Sequence, residues 1–454
     1  MSIFFTNPPW WEGKERRTGW KKWFKRKRWR RGVRAGSRWP LTMVNKSSPD
    51  KRHPKDYTPY PYFLGYAASY AQKEIGEKNV FFRDSIGLSE SYKSYFKYLD
   101  SIKNKIEYLL IETATPSWDH DYRLIKEIKE KYPHIKIITA GPISSATEKI
   151  RNCSEIYATL KGEYEKNTIK VLKGESGIIE HDLLTLEEMN NAPIPYFDKL
   201  NYDNYFDGNP APMGGYFPQA HIWSSRGCPF KCIFCVWPAS MTGNDPEGDK
   251  KRSVRQYSKD YMKNFIGHLL DKYKFKSIYF DDDTFNIGNK HTTDMCEVME
   301  EFKVPWFAMC RADTIRKETW KTMRDSGCLG VKIGVESGSQ YVVDKIVNKH
   351  LDLDYTKEIV NYIKSLGMTV HGTFTYGLPG ETKENMLETK RFISDVGFTT
   401  VQESGTAEIE GAPLYNLNKK DLKIYPAAKI GSDYQRHTDG NKKWMDLVES
   451  LQNK

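Results

Sequence analysis

Three cysteines crowd one short run, Ser225-Arg226-Gly227-Cys228-Pro229-Phe230-Lys231-Cys232-Ile233-Phe234-Cys235, at C-x₃-C-x₂-C spacing. The run follows a strand-like stretch at 221–224, so the fold must deliver a tight loop at a strand end. Such a loop turns three thiolates toward a common point, which suits an iron–sulfur cluster better than a helix or strand would. Three thiolates on a four-iron cluster leave one iron open to a small molecule. Zinc is the alternative, but it normally takes four protein ligands, and no fourth Cys or His follows at ribbon spacing. Cys153, Cys296, Cys310 and Cys328 form no second ligand set and read as buried thiols.

Around this loop the hydrophobic pattern alternates between strands and helices. Strands are expected at 221–224, 277–280, 306–310, 331–335, 369–376 and 399–402. Helices are expected at 259–274, 292–302, 318–325, 355–366 and 383–396. Six such repeats predict a parallel sheet of partial-barrel type, a (βα)6 unit with its active site at the carboxyl ends of the strands. Upstream, strands at 2–6, 79–83, 108–112, 135–140 and 156–160 alternate with helices at 62–73, 91–105 and 118–132, which predicts an open Rossmann-like parallel sheet. The chain is therefore read as α/β, with an N-terminal domain at 1–173 and a Pro- and Gly-rich linker at 174–215. The partial barrel spans 216–420, and a polar tail 421–454.

The expected strand ends carry polar residues. Asp281-Asp282-Asp283 closes the second strand, where adjacent carboxylates repel unless a cation joins them; a solvated acidic turn is the simpler reading. Arg311 closes the third strand and Glu336-Ser337 the fourth. A structural Arg–Glu ion pair between neighbouring strands accounts for them equally. The fifth ends at Tyr376-Gly377-Leu378-Pro379-Gly380-Glu381, where both glycines can be simple turn residues.

The order of these motifs behind the cysteine loop resembles the radical S-adenosylmethionine (SAM) superfamily, over about residues 215–420. The resemblance implies that Cys228, Cys232 and Cys235 bind a [4Fe–4S] cluster. Phe234 would pack beside the adenine of SAM, and Gly377 would bring backbone close to it. Asp282 and Asp283 would receive the methionine ammonium, Arg311 its carboxylate, and Glu336 or Ser337 the ribose or methionine end. Reductive cleavage of SAM would give a 5′-deoxyadenosyl radical that takes hydrogen from an unactivated carbon, with an external one-electron reductant of flavodoxin or ferredoxin type.

The N-terminal domain resembles the cobalamin-binding domain of one branch of that superfamily, in layout and in Asn7-Pro8-Pro9, Glu112-Thr113-Ala114-Thr115, Ala140-Gly141-Pro142 and Gly162-Glu163. It lacks the D-x-H-x-x-G run that supplies a cobalt-binding His. This likeness implies cobalamin as a further cofactor, C-methylation as the reaction, and a small-molecule or lipid-linked substrate at the two-domain interface. A radical cyclase or rearrangement enzyme without methyl transfer is one alternative, and an RNA-modifying or nucleic-acid-directed protein another.

The net charge of +11 is concentrated. Residues 12–38 hold thirteen Lys or Arg against two Glu, which equals the whole excess. A basic insertion is thus expected at 13–40, with Trp20, Trp23 and Phe24 on one helical face, as in an interfacial helix on an anionic membrane. Nucleic-acid phosphates would also attract it. Seven cysteines without disulfide-like spacing, no signal-like start and no long apolar run point to the cytoplasm, with peripheral membrane association through the basic arm.

Overall fold

The structure is a computed structural model. It describes residues 1–9, 60–88, 90–113, 118–198, 200, 205, 216, 218–236, 241, 254–406 and 412–414, together with the backbone of 11–16, 25–29, 57–58, 206–207, 407–408, 415–416 and 428–429. The chain divides into two compact units, with the main boundary between Phe206 and Asp207.

The first unit is built on apolar runs too short for helices. Its strands are β1 (Ile3–Asn7), β2 (Val80–Asp84), β3 (Tyr108–Glu112), β4 (Lys136–Ala140), β5 (Ile156–Leu160) and β6 (Gly177–Ile179). All pair in parallel, in the order β2-β1-β3-β4-β5-β6. β1 and β3 are buried along their whole length, as befits strands covered on both faces. Helices α1 (Tyr62–Ile75), α2 (Tyr92–Ile102), α3 (Trp118–Lys131) and α4 (Glu165–Leu172) connect them. The strand order reverses about β1, which opens a crevice beyond the carboxyl ends of β1 and β3.

Part of the stretch expected as linker belongs to this unit. β6 completes the sheet, and a one-turn helix, Leu186–Asn190, follows with a Thr185–Glu188 capping box. Three residues flanked by glycine and charge leave too little pattern to mark a strand, and α4 escaped notice beside the Gly162-Glu163 turn.

The second unit holds β7 (Gln219–Ile222), β8 (Ser277–Phe280), β9 (Trp306–Cys310), β10 (Cys328–Glu336), β11 (Thr369–Tyr376) and β12 (Thr400–Gly405). They pair in parallel and in sequence order. Between them run α5 (Lys259–Tyr273), α6 (Asn289–Phe302), α7 (Lys317–Asp325), α8 (Leu353–Ser365) and α9 (Lys383–Val396). Ser258, Asp352 and Thr382 cap α5, α8 and α9 through their side-chain oxygens, fixing where each helix begins. This is the (βα)6 topology the sequence predicts.

The basic segment departs from the helical expectation. Lys25–Trp29 is a strand, paired antiparallel with Trp11–Arg16; Trp20, Trp23 and Phe24 lie outside the described residues. A basic run such as Lys25–Trp29 carries no strong propensity of its own, and cross-strand pairing decides. Among the described residues, no helix is long and apolar enough to cross a membrane.

Candidate active site at the carboxyl ends of the second sheet

The cysteine loop leaves β7 through a two-residue ribbon, in which Ser225–Arg226 pairs with Arg255–Gln256. Gly227 turns it with φ of 91°, a conformation that glycine adopts without strain. Beyond it the loop is pinned by backbone: Ile233 N–H donates to Val347 O (3.0 Å), Cys235 N–H to Cys232 O (3.1 Å), and Leu414 N–H to Ile233 O (2.7 Å). The Asn348 amide donates to Lys231 O at 3.3 Å. Cys232 packs with Val342, Val347 and Leu378, and Phe230, Phe234 and Cys235 lie against that cluster.

Cys228, Cys232 and Cys235 are free thiols on this loop. Cys228 Sγ is 3.5 Å from Thr284 Oγ1, just beyond β8. Burial, with the nearby Asp283 carboxylate, pushes its thiol up to about 11. A cationic iron would reverse that preference, since a ligating thiol binds as thiolate. Among the described residues, no three His, Cys, Asp or Glu side chains stand at single-ion spacing. Three thiols on one loop, each in its own place, fit a multi-iron cluster, whose irons each take one sulfur.

The residues expected to receive SAM fall into two groups. Phe234 shares the hydrophobic cluster with Leu378, the neighbour of Gly377, so the loop and the end of β11 meet as expected. Gly377 has φ of 78°, and its N–H, like that of Leu378, donates to Glu381 Oε2 (2.7 and 3.1 Å). Arg311 stacks on Phe230 with its guanidinium carbon 3.8 Å from the ring centroid. Asp283, half-buried, lies by Cys228.

Asp282 and Ser337 serve elsewhere. The Asp282 carboxylate accepts from the Ser224 N–H (3.0 Å), the Ser224 hydroxyl (2.9 Å) and the Ser225 hydroxyl (2.6 Å). Ser224 Oγ also meets His291 Nε2 at 2.9 Å, and burial lowers that imidazole to about 4. Asp282 thus ties the end of β8 to the root of the cysteine loop. The Ser337 hydroxyl bonds Thr389 of α9 at 3.0 Å, where Gly338 packs so tightly that a Cβ would lie 2.4 Å from Phe392 Cβ.

Nor do Arg311 and Glu336 pair with each other. Arg311 gives Nε and Nη2 to Asp313 (2.5 and 2.9 Å) and Nη2 also to Lys349 O (2.6 Å). Its Nη1 is buried without a hydrogen-bond partner. Glu336, in the left-handed region with φ of 75°, accepts from Lys349 Nζ at 2.9 Å and from Thr375 at 3.3 Å.

Lys349 is the residue the sequence reading missed. Its backbone oxygen accepts from Arg311 and its ammonium donates to Glu336, while its neighbours Val347 and Asn348 hold the cysteine loop. The signal was a lysine two residues after the apolar positions Val342, Val343, Ile346 and Val347.

In the first unit, Asn7 ends β1 beside the crevice, nearly fully buried, with Nδ2 lacking a hydrogen-bond partner. The Gly162 turn, with φ of 77°, is set by packing: a Cβ there would lie 2.7 Å from His181 and 3.0 Å from Met241 O. Ala114 and Thr115 lie outside the described residues.

Residues 224–393 match the radical SAM superfamily. An uncharacterized methyltransferase of Pyrococcus horikoshii is 25% identical over 379 residues, 78% of this chain and 77% of that protein. Cytidylyl-2-hydroxyethylphosphonate methyltransferase of Streptomyces wedmorensis is 27% identical over 246 residues, 50% of this chain and 43% of the relative, so the chain spans less than half of that protein. Among solved structures, the radical SAM methyltransferase TsrM of Kitasatospora setae, with cobalamin and a [4Fe–4S] cluster bound, superposes with a TM-score of 0.65 at 12% identity, over 91% of this chain and 74% of its own. The cobalamin-dependent radical SAM enzyme OxsB gives 0.61 at 14% identity, over 99% and 56%. At these identities the structural likeness establishes the fold alone: a Rossmann-like unit followed by a partial-barrel unit.

Proposed function

We propose that this chain, whose residues 224–393 match the radical SAM superfamily, is a cobalamin-dependent methyltransferase of that superfamily acting on an unactivated carbon. One observation carries the proposal: the C-x₃-C-x₂-C loop springs from the first strand of a six-stranded sequential parallel sheet, which follows a separate doubly wound unit in the chain. Bound here, a [4Fe–4S] cluster supplies the reductive cleavage of SAM, and a corrinoid the transferable methyl group.

Cys228, Cys232 and Cys235 hold the cluster. Asp283 and Arg311 Nη1 face the methionine end of SAM, with Glu336 kept in place by Lys349. Phe234 and the Gly377 backbone take the adenine. Asp282 and Ser337 are positioning residues, the first for the cysteine loop and the second for the end of β10. In the first unit, the orphaned Asn7 amide suits the amide-rich rim of a corrin. No His follows β1 in Asn7–Gly13, so we assign no protein ligand to cobalt from that segment. Seven free cysteines support a reducing cytoplasm, where a flavodoxin- or ferredoxin-type protein supplies the electron.

The test is anaerobic reconstitution with iron, sulfide and corrinoid measured on one sample, then product analysis. S-adenosylhomocysteine beside 5′-deoxyadenosine is the expected pair; 5′-deoxyadenosine alone would sink methyl transfer. A Cys232→Ala variant that keeps its iron and its SAM cleavage would overturn the cluster assignment.

A further inference from the structure

Residues 340–351, between β10 and α8, form a closed loop. The Gln340 amide shuts its base: Nε2 donates to Leu351 O at 2.9 Å, and Oε1 accepts from the Leu353 N–H at 3.0 Å. Within the loop the chain makes one wide turn of π-helical type, Val342–Ile346. The Val347 N–H closes that turn on Val342 O (2.8 Å), and the Lys349 N–H reaches Val343 O (2.9 Å). Val342 and Val347 pack with Cys232 and Leu378. Turns of this kind, and compact loops with joined ends, recur at functional sites.

The backbone is strained where this loop meets the site. Among the described residues, the non-glycine positions with positive φ are Lys274, Lys303, Glu336, Asn348 and His350. Lys274 and Lys303 are C-caps of α5 and α6. The other three are Glu336 (75°) and the two neighbours of its ion-pair partner Lys349, Asn348 (58°) and His350 (51°). Asn and His enter this region more readily than most residues, but strain of this sort persists only where surrounding contacts hold it.

Those contacts reach three parts of the site. Val347 O accepts from the Ile233 N–H (3.0 Å), and Asn348 Nδ2 donates to Lys231 O (3.3 Å), both in the cysteine loop. Lys349 O and His350 O accept from Arg311 Nη2, just past β9, at 2.6 and 3.3 Å. Lys349 Nζ donates to Glu336, at the end of β10. Asn348 Oδ1 lies 2.7 Å from His350 Nε2, so one amide both spans the strained turn and holds the cysteine loop.

We propose that residues 340–351 are a clasp that keeps the cysteine loop in register with Arg311 and Glu336, with Asn348 and Gln340 as its positioning residues. The proposal rests on the radical SAM reading for what those two side chains face. Through the clasp, a shift of the cysteine loop is passed to the carbonyls of 349 and 350 and to the Lys349 ammonium. Cluster geometry and SAM binding are thereby linked.

Asn348→Gly and Gln340→Ala test the clasp; the first keeps the left-handed backbone free of strain while removing the amide. In the protein without iron, hydrogen exchange of the Ile233 amide is expected to quicken about tenfold in both variants, with α5 unchanged. After anaerobic reconstitution, SAM is expected to bind about fivefold more weakly per cluster. It should also perturb the electron paramagnetic resonance spectrum of the reduced cluster less than in wild type. A merely structural role would lower iron content or the unfolding midpoint but leave affinity per cluster and the spectral change as in wild type. That result overturns the proposal, and so does unaltered exchange at Ile233. Should Asn348→Gly take up no iron, Gln340→Ala is read in its place; should neither load, exchange at Ile233 decides alone. Faster exchange in both variants of a chain whose wild type takes up no iron and no SAM keeps the clasp and loses the radical SAM reading.

Discussion

Asp282, just past β8, accepts both the N–H and the hydroxyl of Ser224, just past β7, at 3.0 and 2.9 Å. The cysteine loop begins within four residues of that joint. Replacing Asp282 by Ala would strand these buried donors and the Ser225 hydroxyl, at about 2–4 kcal/mol. The expected result is a lower unfolding midpoint and poorer iron retention after reconstitution, with Asp282→Asn recovering part of both. If Asp282→Asn kept its iron and stability but raised the KM for SAM, the residue would be a ligand and the joint incidental.

Glu336 and Lys349 form the buried ion pair of the site, with side chains 7% and 10% exposed. Removing one partner of such a pair costs about 3–5 kcal/mol, because the other charge stays behind. Lys349→Met should therefore destabilise more than Glu336→Gln combined with Lys349→Met, and denaturant unfolding of the two variants measures the difference. Gly334→Ala is expected to disturb the same pair, since its Cβ would lie 2.6 Å from Glu336 Oε1 and 2.9 Å from Lys349 Nζ. Equal stability of single and double variants would mean the pair is not coupled.

The sheets and the cysteine loop were legible because they rest on local signals: apolar runs of period two, helix caps, and cysteine spacing. The roles at the strand ends were less so. Asp282 and Asp283 are adjacent and chemically alike, yet one bonds back to Ser224 and the other lies by Cys228. Which way each turns depends on the pleat and on partners more than fifty residues away. Lys349 went unread for the same reason, its partner Glu336 being thirteen residues distant across the helical stretch Val342–Ile346. The buried polar pair Lys332 and His371 was visible as alternation in Val331-Lys332-Ile333 and Val370-His371-Gly372. Only the register showed that these two residues of neighbouring strands stand opposite each other.

Glu381 gives a pH signature. Burial raises its carboxyl to about 8, against the opposing pull of the Gly377 and Leu378 N–H groups. The folded state therefore holds this proton more tightly than the unfolded chain, whose carboxyl titrates near its ordinary value. Its contribution to stability is fullest below about pH 4.5 and is lost as pH rises toward about 8, with a limiting slope of about 1.4 kcal/mol per unit. Glu381→Gln keeps an acceptor for both N–H groups and removes the titration. Wild type should lose stability relative to that variant between about pH 5 and 8, measured by denaturant unfolding. Parallel curves across that range would place the proton elsewhere.

The basic ribbon invites a test of its partner. Its register sets Lys14 opposite Lys27, Glu15 opposite Arg26 and Arg16 opposite Lys25. Residues 12–38 carry the whole net positive charge of the chain, which an anionic surface would attract. Each Lys or Arg at an anionic bilayer contributes about 1 kcal/mol. Lys25→Gln with Lys27→Gln is then expected to weaken retention on phosphatidylserine vesicles about thirtyfold, with little change on neutral vesicles. Retention by RNA but not by vesicles would replace the membrane with a nucleic-acid partner. If the unaltered chain binds neither, the ribbon's charge serves no docking role.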